Sequence, residues 1–370
     1  MNLFKRLLGN RNGQLDDIGF WDWFRRHERS FYNIINKREP PVVNVLFLKK
    51  IMPKLHELNE AFYCEAGMSD STTAELVITT EGDIKSFVFA EELIAAGPAL
   101  PNWKLTALKP ATGAGVSITM DDEEFNSANI GFFFEEQEQY PDEINLTLVH
   151  SGLTGENKKT IIQGCFLFLD TVLGELNAVT LIDNIEIKGP SPENKTLIPM
   201  EKLNDFLVWK EKEFVEKYEG IRHNTENDEY SIFEGEDDNG LPSIAVINTE
   251  LLDWDAKASH PWMLVIEIDF EKNHGVAANG MPDKKHLQLM DAFEGQLSGQ
   301  LTDSAGYLNL GRNTAKGKRK IYLACKEFRW ASKTVHQLIG AHANALTTSY
   351  RIYKDKYWRT MDSFRGQTES

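Results

Sequence analysis

Cysteine is scarce in this chain, and basic residues are outnumbered. Three cysteines among 370 residues, Cys64, Cys165 and Cys325, are odd in number and far apart. They form no CxxC motif and imply no disulfide framework. Cys165 (in IIQGCFLFLD) and Cys325 (in IYLACK) sit in apolar company and read as small buried hydrophobes of a reducing compartment. No run of about 18 apolar residues occurs, so no membrane span is expected. The opening MNLFKRLLGNRNG has Lys5 and Arg6 but too short an apolar run for a signal peptide. These absences point to the cytoplasm. Lys and Arg total 40 against 56 Asp and Glu, a net charge of −16. Such a balance excludes non-specific nucleic-acid binding, which needs a cationic face to displace counterions.

Catalytic signatures are missing too. GRNTAKGKRK (311–320) has the look of a phosphate loop but fails its spacing. Lys316 stands where the second Gly belongs, and Lys318 precedes Arg319 rather than Ser or Thr. GAGVS (113–117) lacks the third Gly of a dinucleotide turn. The nine histidines are scattered, without an HExxH pair. His336 and His342 would lie roughly 240° apart around a helix. His274 and His286 flank a Gly-rich loop, the one place where two imidazoles are expected near each other. No GxSxG elbow occurs. The acidic runs 121–125, 134–143 and 234–240 read as solvated faces, and EDDNG lacks the order of a calcium loop. No catalytic residue, metal or cofactor is therefore expected.

What is present is a mixed α+β pattern in two domains. Helices are predicted over 19–36, closed by Pro40 and Pro41, and over 45–66, with Pro53 inside. AELVITTEG alternates as a strand, a short helix covers 85–96, and strands follow at 103–108, 115–120, 129–135 and 143–150. A strongly apolar helix over 161–173 ends at Gly174, and 178–187 is extended. KGPSPENKTLIP (188–199) is the clearest boundary. The domains are accordingly 1–187, a linker and charged helix over 188–226, and 227–370. The helix over 201–218 turns Leu203, Phe206, Leu207, Phe214 and Val215 inward.

The second domain opens with a hairpin through a DDNG turn at 237–240, then a buried strand, WMLVIEIDF. A helix over 284–301 follows, with Leu287, Leu289, Met290, Phe293 and Leu297 inward. Two strands surround the 313–318 turn, and a helix over 333–346 and a strand near 350–353 complete the domain. Setting aside the opening hairpin, the order β-α-β-β-α-β is that of a ferredoxin-like (split βαβ) sandwich.

Gly240, Pro242, Asn248, Pro261, Gly280, Pro282, Glu294, Leu297, Gly311, Arg312, Thr314, Gly317, Arg319, Tyr322, Asp355 and Trp358 carry a resemblance. From about residue 239 to 364 the chain resembles the bacterial domain-of-unknown-function family 695. The core spelling YLGR-x-T-x-x-G-x-R is loosened here by one Asn-Leu step, at Asn309 and Leu310. The resemblance implies an architecture and no substrate, cofactor or catalytic residue. ELVITTEG (75–82), the 95–110 stretch and LDTVLGEL (169–176) are similar to N-terminal α/β domains of bacterial proteins of that same kind. By fold-level analogy, their shape is compatible with chaperone-like or immunity-type binding domains.

The sites to watch are Glu294, expected to pair with Arg312 or Arg319, and the basic turn carrying Thr314, Lys316 and Lys318. The reading that follows is a non-catalytic protein-binding module of immunity or regulatory type, acting through an acidic surface on another protein. The alternatives are an anion- or small-molecule-sensing module at the basic turn, and an enzyme using a pocket near Glu294, Arg312 and Arg319.

Overall fold

The computed structural model describes residues 16–190, 195–236 and 240–365. The chain start, positions 191–194 of the boundary segment and positions 237–239 of the DDNG turn lie outside the described residues.

Asp16 caps the first helix, α1 (Asp17–Ile35), by accepting from Gly19 N at 2.8 Å. Its near-helical aromatic spacing buries Phe20, Trp21, Phe24 and Phe31. The long helix expected over 45–66 is corrected. α2 (Pro40–Val43) precedes it, a π-helical turn (Asn44–Leu48) and α3 (Lys49–Leu58) take its first part, and Tyr63–Met68 is a strand, β1. Pro40 opens α2, where a missing first-turn N–H costs nothing. β1 pairs antiparallel with β2 (Ala74–Thr79), and this pairing overrides the weak local preference of YCEAGM. After α4 (Phe87–Ala95), β3 (Trp103–Ala107) joins β2 in parallel, giving the order β1-β2-β3.

β4 (Ile118–Met120) and β5 (Glu123–Phe125) form a hairpin turning on Asp121 and Asp122, at φ 48° and 66°. The acidic run 121–125 thus holds a turn and a strand, since Asp tolerates the left-handed backbone such a turn demands. β6 (Ile130–Phe134), β7 (Asn145–His150), β8 (Asn184–Lys188) and β9 (Ile198–Pro199) form a sheet ordered β8-β7-β6-β9. Between β7 and β8 run α5 (Lys158–Leu173) and α6 (Glu175–Leu181). Residues 178–181, expected as extended, are helical. Glu175 anchors α6 by accepting from Thr79 Oγ1 (2.7 Å) and from the backbone N–H groups of Thr80 (3.1 Å), Gly82 (2.9 Å) and Lys109 (3.1 Å).

α7 (Leu203–Tyr218) buries Leu203 and Leu207, whereas Val215, expected inside, is 54% exposed. The remaining elements are β10 (Tyr230–Glu236), β11 (Pro242–Asn248), α8 (Thr249–Leu252), β12 (Trp262–Asp269), α9 (Lys284–Gln300), β13 (Tyr307–Ala315), β14 (Lys318–Cys325), α10 (Arg329–His342) and β15 (Thr347–Lys354). Their six strands are ordered β10-β11-β13-β14-β12-β15, every neighbouring pair antiparallel. α9 buries His286 with Met290, Phe293 and Leu297, and Leu287 of the expected apolar face is exposed instead. Ile247, Met263, Val265, Leu308, Tyr322 and Trp358 belong to one core cluster of this sheet.

Two glycines of the resemblance have a local reason. Gly311 sits at φ 122° where the β13–β14 ladder slips, and a Cβ there would stand 2.2 Å from Val246 O. Gly317 shares the hairpin turn with Lys316, both at positive φ (71° and 52°).

The chain divides into two compact units that interleave in sequence. One comprises the described residues of Met1–Phe132, Leu148–Val179 and Ile187–Asn204. The other comprises those of Phe133–Thr147, Thr180–Glu186 and Asp205–Ser370.

Candidate functional site

The six residues singled out from the sequence lie on β13, β14, their turn and α9, but on both faces of the sheet. Strand periodicity puts Arg312, Thr314 and Arg319 on one face, with Thr314 directly across from Arg319. Glu294 of α9 bridges the two arginines. Its Oε2 accepts from Arg312 Nη1 at 2.6 Å and its Oε1 from Arg319 Nη1 at 2.7 Å. Arg319 Nε donates to Thr314 Oγ1 at 3.1 Å, and Asp291 stands 3.4 Å from its Nη1. The Arg319 side chain is 5% exposed, so its guanidinium is stabilised by this forked set of partners rather than by water. Lys318 points to the opposite face, where Glu267 accepts from it at 2.7 Å and lies 3.9 Å from Lys320. This carboxylate raises the Lys318 amine above its usual range. Lys316 occupies the turn itself.

A second charge cluster, in the same unit, was not legible in the sequence. The run 134–143 divides: Glu136 and Glu138 are exposed, while Asp142 and Glu143 have side chains only 8% and 2% exposed. The solvated reading is therefore corrected for these last two. Asp183 Oδ2 accepts from Lys356 Nζ at 2.9 Å, and Lys356 also donates to Asp142 O at 2.5 Å. Lys354 Nζ lies 3.1 Å from Asp183 Oδ1, close enough for an ion pair but without an aligned hydrogen bond. Burial, offset in part by Asp183 and reinforced by Lys356, lowers the Lys354 amine to about 8. Asp142 accepts from Lys217 (2.7 Å), Tyr218 (2.7 Å) and Tyr357 (2.8 Å). Burial raises its carboxyl, but these donors outweigh burial and leave it lowered. Glu143 accepts from Arg359 at 2.5 Å and is raised, chiefly by burial. With Phe134, Phe206 and Phe214, the cluster's Asp142, Glu143, Lys217 and Lys356 border a cleft of about 140 Å³.

In the other unit, β1 has one neighbour among the described residues, β2, and its second edge borders a groove of about 450 Å³. Ile35, Val43, Leu48, Ala66 and Met68 contribute to its lining. The opposite face of β1 borders a hollow of about 360 Å³ that includes Glu65, Glu75, Lys109 and Asp170.

His286 Nδ1 lies 2.9 Å from Asp283 Oδ1, the cap of α9. Among the described residues, no group of three or more His, Cys, Asp or Glu is arranged to hold a metal ion. Cys64, Cys165 and Cys325 are buried free thiols, and burial raises all three. No single described helix is long and apolar enough to cross a membrane.

The geometry defines an α+β protein whose six-stranded sheet is tied to a helix by a carboxylate between two arginines. Residues 237–364 match the model of a family described as "Family of unknown function (DUF695)". The match takes in Glu294, Arg312 and Arg319. No curated protein matches the chain.

Proposed function

We propose that this is a bacterial cytoplasmic protein, a non-catalytic module of immunity or regulatory type that binds another protein through an acidic surface. The observation that carries the reading is the internal use of the densest positive cluster. Arg312 and Arg319 are engaged by Glu294, and Lys318 by Glu267, so this basic cluster is neutralised within the chain, and the overall charge of −16 favours a basic partner. The same pairing weighs against anion sensing, or an enzyme pocket, at Glu294, Arg312 and Arg319, because either requires these groups to turn from each other to a ligand. We also read the β-α-β-β-α-β run of β12 to β15 as ferredoxin-like. The order β13-β14-β12-β15 and its antiparallel pairing support this.

The test is affinity capture with the tagged full chain from lysate of the native host, at moderate and at high salt. A single stoichiometric protein, lost at high salt, is expected. An empty capture, or a partner indifferent to salt, would overturn the acidic-surface reading.

A further inference from the structure

We infer that the free edge of β1 is a docking site for an extended, basic polypeptide segment, which adds to the sheet as a fourth strand beside β1. The inference rests on the protein-binding reading and gives it a place and a partner chemistry.

Backbone alignment comes first. Ser69 N donates to Thr73 O at 2.9 Å next to the β1–β2 ladder. In an antiparallel ladder, bonded and non-bonded pairs alternate. Gly67–Glu75, Glu65–Val77 and Tyr63–Thr79 are therefore the bonded pairs of the observed register. The N–H and C=O groups of Cys64, Ala66 and Met68 consequently point away from β2, to the edge where β1 has no strand neighbour among the described residues. Edges of this kind pair readily with another chain.

This edge has the flanks that strand addition uses. The helical segment 40–48 stands across the groove of about 450 Å³, and Val43 and Leu48 give its lining an apolar part. Recognition by an edge strand and a facing helix places alternate side chains of the added segment on opposite faces. Those on the Cys64–Ala66–Met68 side enter the apolar groove. Those on the Glu65–Gly67 side enter the hollow of about 360 Å³. Gly67 leaves open space there, with no heavy atom within 4 Å of where a Cβ would stand.

Charge selects the partner. Glu65, Glu75 and Asp170 line this hollow with Lys109, and Lys104 and Glu81 extend the cluster through ion pairs with Glu75 and Lys109; Lys109 also pairs with Asp170, and Arg38, which lines the groove on the other face, donates to Asp70 O at 3.1 Å. Four carboxylates against two amines leave two negative charges unmatched. Desolvation by its neighbours, together with Glu81, Asp170 and Glu175, raises the Glu65 carboxyl despite Lys109. A lysine or arginine of the added strand would relieve that repulsion, while an acidic one would add to it.

The experiment measures fluorescence anisotropy of two labelled peptides on the full chain, acetyl-(Lys-Val)4-amide and acetyl-(Glu-Val)4-amide, with amide hydrogen exchange alongside. The Lys-Val peptide is expected to bind at least tenfold more tightly and to slow exchange at Cys64, Ala66 and Met68. Ala66→Pro removes an outward N–H without breaking a bond to β2 and should weaken binding at least tenfold, with Glu65→Lys reducing the charge preference. Equal affinity for both peptides would overturn the basic partner. Binding without slowed exchange at those three amides would overturn strand addition, even if Ala66→Pro failed to fold. If neither peptide binds, the docking site is wrong. A salt-sensitive partner captured equally by wild type and Ala66→Pro would overturn the docking site and leave the proposed function standing.

Discussion

Glu294 and Asp183 each hold two cations, and the comparison shows what the identity of the cation does to a buried charge. Glu294 faces Arg312 and Arg319, whose guanidinium groups keep their charge at any accessible pH and offer forked donors. Asp183 faces Lys354 and Lys356, and burial, with the neighbouring Lys356 adding to it, pushes Lys354 down to about 8. The arginine site is a fixed clamp between α9 and the sheet. The lysine site relieves its crowding by giving up a proton, so its contribution to stability varies with pH.

The largest effect should come from Asp183→Asn. It leaves Lys356, 2% exposed, and Lys354, 11% exposed, without their shared carboxylate, and urea denaturation at pH 7 should show a loss of about 3–5 kcal/mol. Glu294→Gln should cost less, about 2–3 kcal/mol, because Arg312 is 38% exposed and retains water. Repeating both titrations at pH 10 sharpens the contrast: the Asp183→Asn deficit should shrink as Lys354 discharges, and the Glu294→Gln deficit should not. Equal deficits at both pH values would break the distinction. Arg319→Lys comes next, at about 1–2 kcal/mol, through loss of the fork and of the Nε–Thr314 bond.

The last effect is a slope with pH rather than a deficit at one pH. The folded value of Lys354, about 8, lies below its ordinary 10.5, so between these pH values the unfolded chain binds more protons and stability rises with pH. Lys354→Met should flatten this rise, by at most ~1.4 kcal/mol per pH unit. An unchanged pH profile in that variant would show that Lys354 does not titrate there.

The two clusters also differ in how far they were legible. Glu294, Arg312 and Arg319 fall within 26 consecutive positions, on a helix and two strands whose periodicity is plain, so their pairing followed from local pattern. Lys356 is 173 residues from Asp183, and Arg359 is 216 from Glu143. Nothing in FEEQEQYPDE marks its last two acids as buried. β1 was misread as helix because YCEAGM lacks clear alternation and follows an amphipathic stretch. Its strand form depends on the register with β2. The exchange of Leu287 for His286 on α9 also depends on packing, since His286 lies over Gly275, where a Cβ would stand 2.4 Å from its ring.

The sequence by itself determined the mixed helix-and-sheet character, the resemblance of the last third, the turn glycines and the acidic balance. Each depends on composition, spacing or a single backbone angle, which neighbouring residues specify. The tertiary structure decided the interleaving of the units, the burial of Asp142, Glu143 and Asp183 among lysines, and the open edge of β1. These depend on contacts between distant segments, and local periodicity carries no record of which segment will arrive beside which.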